Sequence, residues 1–331
     1  MKNRILSLIV ACVSLMSVSC DAFQSLMSTS EYTSQGTPYE MIVVCDQDLW
    51  QGEAGDTLRS VLCAPVEYLP QREPLFDVLR ILPEGFRDMI AAHRNVLRVV
   101  VDPSVAEAKA TLQNDVNAAP QLFITLQAPD AESLTAYVSD HRKELVQAFE
   151  NAERDRALKA TRRFKSDNVE KDITELFGFR MPVPTGYFTA NKTADFMWAR
   201  KEYPSASQGF LIYAYPYEGK ASLSAEALLE ARNRFAAKIP GPREGSYMTT
   251  SKMFPPQYRM FRMEGRLWCE LRGFWDVEGD YMGGPFVSYS TVDTRTNRVV
   301  TIDLYIYSPD LAKRNFMRGV EHLFYGVEFP K

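Results

Sequence analysis

Between Tyr258 and Tyr307 the chain runs through four strand-like segments joined by turns, and this stretch constrains the fold more than any other. Tyr258–Met263 and Arg266–Trp275 flank Glu264-Gly265, which reads as a hairpin. Phe286–Asp293 and Arg298–Tyr307 flank a loop of Thr, Arg and Asn and read as a second hairpin. Successive side chains of a strand point to opposite faces, so residue parity sorts them. In Arg266–Trp275 the odd positions are Leu267, Cys269, Leu271, Gly273 and Trp275, and the even ones are Arg266, Trp268, Glu270, Arg272 and Phe274. In Arg298–Tyr307 the even positions Val300, Ile302, Leu304 and Ile306 are apolar, while the odd ones include Thr301, Asp303, Tyr305 and Tyr307. Each strand therefore has a greasy face and a face mixing charge with aromatic rings. If helices cover the greasy faces, Trp268, Arg272, Asp303 and Tyr305 form a candidate ligand-binding surface for a sugar or peptide, by ring stacking and charged hydrogen bonds. The competing reading is that the mixed face packs on another domain or forms ordinary cross-strand pairs.

The remaining elements suggest an α+β fold of two α/β sandwich-like domains, the second with a largely antiparallel sheet. About 290 folded residues exceed one ordinary core. The first domain, residues 39–163, carries apolar strand runs at Glu40–Cys45, Leu75–Ile81, Val96–Val101 and Gln121–Gln127. Helices are expected at Asp56–Cys63, after Pro83, from Ser104 to Asn114, and as one long run from Asp130. In that last helix Leu134, Tyr137, Val138, His141, Leu145 and Phe149 fall on one stripe, which makes His141 a packed residue. The second domain, residues 164–331, opens with a helix near Asn168–Phe177 that Gly178 stops. Strands near Asp195–Tyr203 and Gly209–Tyr215, a helix over Ser224–Ile239 and a final helix after Pro309 complete it.

Ahead of both domains, Lys2 and Arg4 precede an apolar run from Ile5 to Val18 that is too short to span a bilayer. Residues 1–19 read as a signal peptide. Ser17-Val18-Ser19 suits ordinary cleavage, whereas Cys20 directly after Ser19 is similar to a bacterial lipobox, in which the thiol is acylated and becomes the new N-terminus. Ser17 stands where that pattern most often has Leu. Cys20 is then the lipid attachment site, and two or more acyl chains of the palmitate kind anchor firmly. Residues 20–38 form a flexible tether whose stretch Asp21–Pro38, as a coil, would reach about 20–25 Å.

Loss of residues 1–19 removes two basic and no acidic residues, leaving 36 basic against 42 acidic side chains, a net charge of −6. That balance speaks against a nucleic-acid partner. His93, His141 and His322 are far apart, and no cofactor or metal motif occurs. Cys45, Cys63 and Cys269 read as small core residues, with a Cys45–Cys63 disulfide as the alternative. Asp46 and Asp48 just past a strand end are candidates for acid–base or cation chemistry, or else a loop that caps the next helix.

The stretches PYEMIVVCDQDLWQGEAGDTLRSVL, GPREGSYMTT, LRGFWDVEGDYMGGPFVSY and KRNFMRGVEHL together resemble a family of uncharacterised lipoproteins from Bacteroidetes-type bacteria, catalogued as a domain of unknown function. The resemblance implies an envelope location in a Gram-negative cell, with the outer membrane favoured, and assigns no site residue. Together these readings point to an envelope-anchored, non-enzymatic protein that binds a ligand, a glycan or an envelope protein. The alternatives are an assembly factor for another envelope protein, or a hydrolase using acidic residues such as Asp46 and Asp48.

Overall fold

The computed structural model describes residues 32–330, so Cys20, the signal peptide and most of the tether lie outside the described residues. The fold is α+β, and the chain divides into two compact units. Unit 1 holds the chain up to Ala64 together with Phe76–Ala152, and unit 2 holds Pro65–Leu75 and Glu153 onward. This division falls inside a helix, and the eleven residues Pro65–Leu75 of the first half belong to the second unit.

Unit 1 runs β1 (Glu40–Val44), α1 (Gln47–Gln51), α2 (Glu53–Leu62), β2 (Asp77–Ile81), α3 (Asp88–Ala91), β3 (Asn95–Val101), β4 (Lys109–Asn114), β5 (Leu122–Ala128), α4 (Ala131–Asp140) and the start of α5 (Arg142–Arg163). The sheet order is β2-β1-β3-β5-β4, parallel except for β4. Crossover helices cover such a sheet, which is why β1 and β3 are near-continuous apolar runs. Ile42, Val44, Val96 and Phe123 form one core with Ile81 and Phe86 against it. Leu58, Leu62, Leu134 and Val138 are the buried stripes of α2 and α4.

Two helical expectations fail here. Ser104 starts no helix: its amide is held by Asp102 Oδ1 at 2.9 Å in a turn, and residues 109–114 form the antiparallel edge strand β4. That segment has no apolar helical stripe, and β5 supplies its main-chain partners. The long helix from Asp130 is two helices. Asp130 caps α4 by accepting from the Ser133 amide at 2.7 Å, and the backbone turns at His141 (φ −108°) before α5 begins. His141 is exposed and stacks on the Tyr137 ring at 4.1 Å instead of filling the core.

Unit 2 carries α6 (Asp167–Phe177), β6 (Phe188–Lys192), β7 (Phe196–Tyr203), β8 (Ala206–Pro216), α7 (Ala225–Ala236), β9 (Tyr247–Thr250), β10 (Gln257–Met263), β11 (Arg266–Glu278), β12 (Gly283–Asp293), β13 (Arg298–Tyr307) and α8 (Arg314–Glu321). Its antiparallel sheet has the order β10-β11-β12-β13-β8-β7-β6, with β9 also paired to β11. Gly178 closes α6 in the left-handed conformation (φ 71°), which glycine reaches without a Cβ penalty. Glu264 and Gly265 both have positive φ, 51° and 77°, which gives the twist of a two-residue hairpin turn. Helices cover both faces of this sheet. Val169, Ile173 and Phe177 of α6 with Met317 and Val320 of α8 pack on Ile212, Val287, Ile302 and Leu304. Leu228, Ala231, Phe235 and Ala236 of α7 pack on Leu211, Tyr213, Phe286 and Val299. Each fully buried side chain of this size contributes about 1.5–3 kcal/mol, so the two layers hold the sheet rigid from both sides.

Candidate functional site

Cross-strand register decides where the four sequence candidates stand. Leu271 is opposite Ser288, and Ser288 is opposite Asp303; Arg272 is opposite Val287, and Val287 is opposite Leu304. The even face of β11 is therefore continuous with the even face of β13. Trp268 and Arg272 lie on the α6/α8 side, and Asp303 and Tyr305 lie on the α7 side. The four do not share a surface. Trp268, Asp303 and Tyr305 are buried as well, at 2%, 0% and 4% exposure. Parity within each strand is as the sequence implies, but helices cover both faces, so the mixed face is interior.

On the α6/α8 side the charges pair with one another. Arg272 Nε donates to Glu270 Oε1 at 3.2 Å, and its Nη2 donates to Glu321 Oε1. Tyr289 Oη donates to the same Glu321 oxygen at 2.7 Å, and Arg259 Nη2 reaches Glu270 Oε2 at 2.8 Å. Burial pushes the Glu321 carboxyl up, but Arg272 and Arg318 together outweigh it and hold the group well below the usual carboxylate range. Trp268 stands edge-on to Phe324 at 4.8 Å, as a core ring.

On the α7 side, Arg232 enters the core and donates from Nε to Asp303 Oδ2 at 2.8 Å. Its Nη1 donates to Thr250 Oγ1 at 2.7 Å, and the guanidinium lies 3.5 Å over the Phe286 ring. Ser288 Oγ also donates to Asp303. Burial raises the Asp303 pKa against the pull of Arg232 and Ser288. Tyr305 Oη accepts from Trp198 Nε1 at 2.7 Å. Every charged group here is spent on a structural partner.

Open space appears where α7 stops covering its face. At the turn end of the β10–β11 hairpin a groove of about 840 Å³ is floored by Tyr258, Met260, Leu267 and Val292 and walled by Tyr217, Lys220 and Leu223. Met260 is 60% and Leu267 37% exposed, so apolar surface faces water here. The Tyr258 hydroxyl donates to the Leu223 carbonyl at 2.9 Å and lies 3.6 Å from Cys269 Sγ, which ties the wall to the floor. Burial and the Cys269 thiol push the Tyr258 hydroxyl up to about 12, so it stays protonated as a donor. The volume is that of small-molecule and peptide sites. Sequence reasoning passed over these residues. The available signal was Met260 and Leu267, two large apolar side chains beside a tight turn on the face opposite Trp268.

Asp46 and Asp48 are exposed at the start of α1 and do not line this groove. Cys45, Cys63 and Cys269 are free thiols, and burial pushes Cys45 up to about 11. Among the described residues no group of three or more His, Cys, Asp or Glu is placed to hold a metal ion, and no helix is long and apolar enough to cross a membrane.

Two families match, each described as a domain of unknown function: DUF8532 over residues 34–162 and DUF4837 over residues 166–326. Together they span most of the chain, as two domains where the sequence resemblance suggested one. No curated protein matches. Among solved structures, the chain is similar to LpqN of Mycobacterium tuberculosis, described as involved in cell envelope biogenesis, at 11% identity and TM-score 0.29, covering 46% of this chain and 83% of that one. It is also similar to the human StarD13 lipid transfer and protein localization domain at 8% identity and TM-score 0.24, covering 47% of this chain and 94% of that one. Both likenesses are too slight to bear on what this chain binds.

Proposed function

We propose that this is a lipid-moored, non-catalytic binding protein of the cell envelope, with the groove beside the β10–β11 hairpin as its binding site. One observation carries the site: the sheet is helix-covered on both faces, yet its α7 face opens at the hairpin end onto exposed Met260 and Leu267. Large exposed apolar side chains rimmed by polar ones mark binding surfaces. The buried carboxylates support a binding role over hydrolysis, because Asp303, Glu270 and Glu321 are each held by arginine. The mooring rests on Cys20 and its flanking sequence. A scaffold packed from both sides suits presentation of one preformed groove from a short tether, whether the occupant is an envelope protein or a glycan.

The test compares wild-type protein with Leu223→Asp/Leu267→Asp and with Cys20→Ser, each purified natively from membranes or supernatant and checked by circular dichroism. Material that co-purifies with wild type and is lost from the folded groove variant supports the reading. Identical co-purifying material in both overturns the site. Cys20→Ser should leave the membrane fraction, and retention there would overturn the mooring.

A further inference from the structure

The groove lies beside an unpaired sheet edge, and we infer that edge and groove together take an extended, acidic polypeptide segment, added to β10 as a further strand. This rests on the groove reading above and gives its occupant a chemistry. β10 ends the strand order and, among the described residues, pairs only with β11. An edge strand presents a row of main-chain donors and acceptors to any chain laid alongside it. Sheets protect such edges with bulges, prolines, very short strands or charged side chains. Of these β10 has only the charges of Arg259 and Arg262: its seven residues pair without a break from Gln257↔Arg272 to Met263↔Arg266, and none is proline.

Two features of the edge choose the partner. The first is parity. Tyr258, Met260 and Arg262 share the groove face, so alternate side chains of an added strand would also stand on that side, over an apolar floor. Strand addition of this kind draws affinity from the main chain and specificity from alternate side chains. The second is charge. Lys220 lines the groove and Arg262 shares its face, against Glu264 as the carboxylate of its lining. Arg262 gives its hydrogen bond to the carbonyl of Gly265, which leaves its positive charge for a partner. A positive rim around an apolar floor favours a segment in which acidic and apolar residues alternate, and it disfavours a basic one.

The experiment uses the detergent-solubilised mature protein and three fluorescein-labelled peptides of about eight residues, the length that matches β10. One alternates Glu and Val, one alternates Lys and Val, and one is the Glu peptide with a central proline. The Glu peptide should bind, weaken as salt is raised, and protect β10 amides from hydrogen exchange. The Lys and proline peptides should bind at least about tenfold more weakly. Lys220→Glu with Arg262→Glu, both exposed and so compatible with folding, should remove the preference for Glu over Lys. Equal binding of the Glu and Lys peptides, or protection confined to other strands, would overturn the inference. If the Glu peptide does not bind while the groove variant still loses its native co-purifying material, strand addition falls and the groove reading stands. If both results are negative, both readings fall.

Discussion

Removing Arg232 should destabilise unit 2 more than any other single charge deletion. Its side chain and that of Asp303 are both 0% exposed, with the guanidinium 2.8 Å from the carboxylate. In Arg232→Met the carboxylate keeps Ser288 but loses its counter-charge, and the Phe286 ring loses the cation above it. Breaking one side of a buried pair costs about 3–5 kcal/mol, because the remaining charge stays out of water without compensation. The double variant Arg232→Met/Asp303→Leu removes that charge. It leaves Ser288 without its acceptor, a cost of about 1–3 kcal/mol, so the double should be more stable than the single. Three of the four tryptophans, Trp198, Trp268 and Trp275, belong to unit 2 and Trp50 to unit 1, so urea unfolding followed by tryptophan fluorescence in a Trp50→Phe background reads unit 2. The pH dependence gives an internal check. Asp303 already binds its proton more tightly folded than unfolded, so its contribution is favourable below its unfolded pKa and is lost as pH rises through the folded one. Without Arg232 the folded pKa rises further, and the variant should recover stability as pH falls. A loss under about 1 kcal/mol for the single variant, or a double variant no more stable than the single, would refute the reasoning.

Other perturbations have equally defined outcomes. Glu321 has a lowered folded pKa, so it adds stability above its unfolded value of about 4.3 that is lost as pH falls below it; urea midpoints of Glu321→Gln should therefore be lower at neutral pH and flatter in acid than wild type. Gly209→Ala places a Cβ 2.4 Å from the Tyr305 ring and should cost about 1–3 kcal/mol by overpacking, read in the same melts. Cys45 should react with a disulfide reagent at pH 8 far more slowly than a free thiol until urea is added, because its folded pKa is about 11.

Much of the architecture was legible because local patterns decide it. The Glu264-Gly265 hairpin, the Gly178 stop and the apolar runs of β1, β3 and β5 rest on residues close in sequence. The errors came where distant partners decide. Parity placed Trp268 and Tyr305 correctly within their strands, but only the β11–β12–β13 register shows that they face opposite ways. Arg232 and Asp303 are 71 residues apart, so their pairing has no local trace. β4 became a strand because β5 offered it an edge, and β6 and β9 were too short and mixed to stand out. The groove was hidden for a similar reason. It exists because α7 ends before the sheet does, and where a helix stops covering a sheet is a tertiary fact.

A photo-crosslinking residue placed at Met260 in intact cells tests the binding groove most directly. The account predicts a discrete adduct from that position, absent from a control at exposed Leu79 in unit 1 and abolished by Leu267→Asp. The same adduct pattern from both positions, or an adduct at Met260 that survives Leu267→Asp in a folded protein, would contradict it.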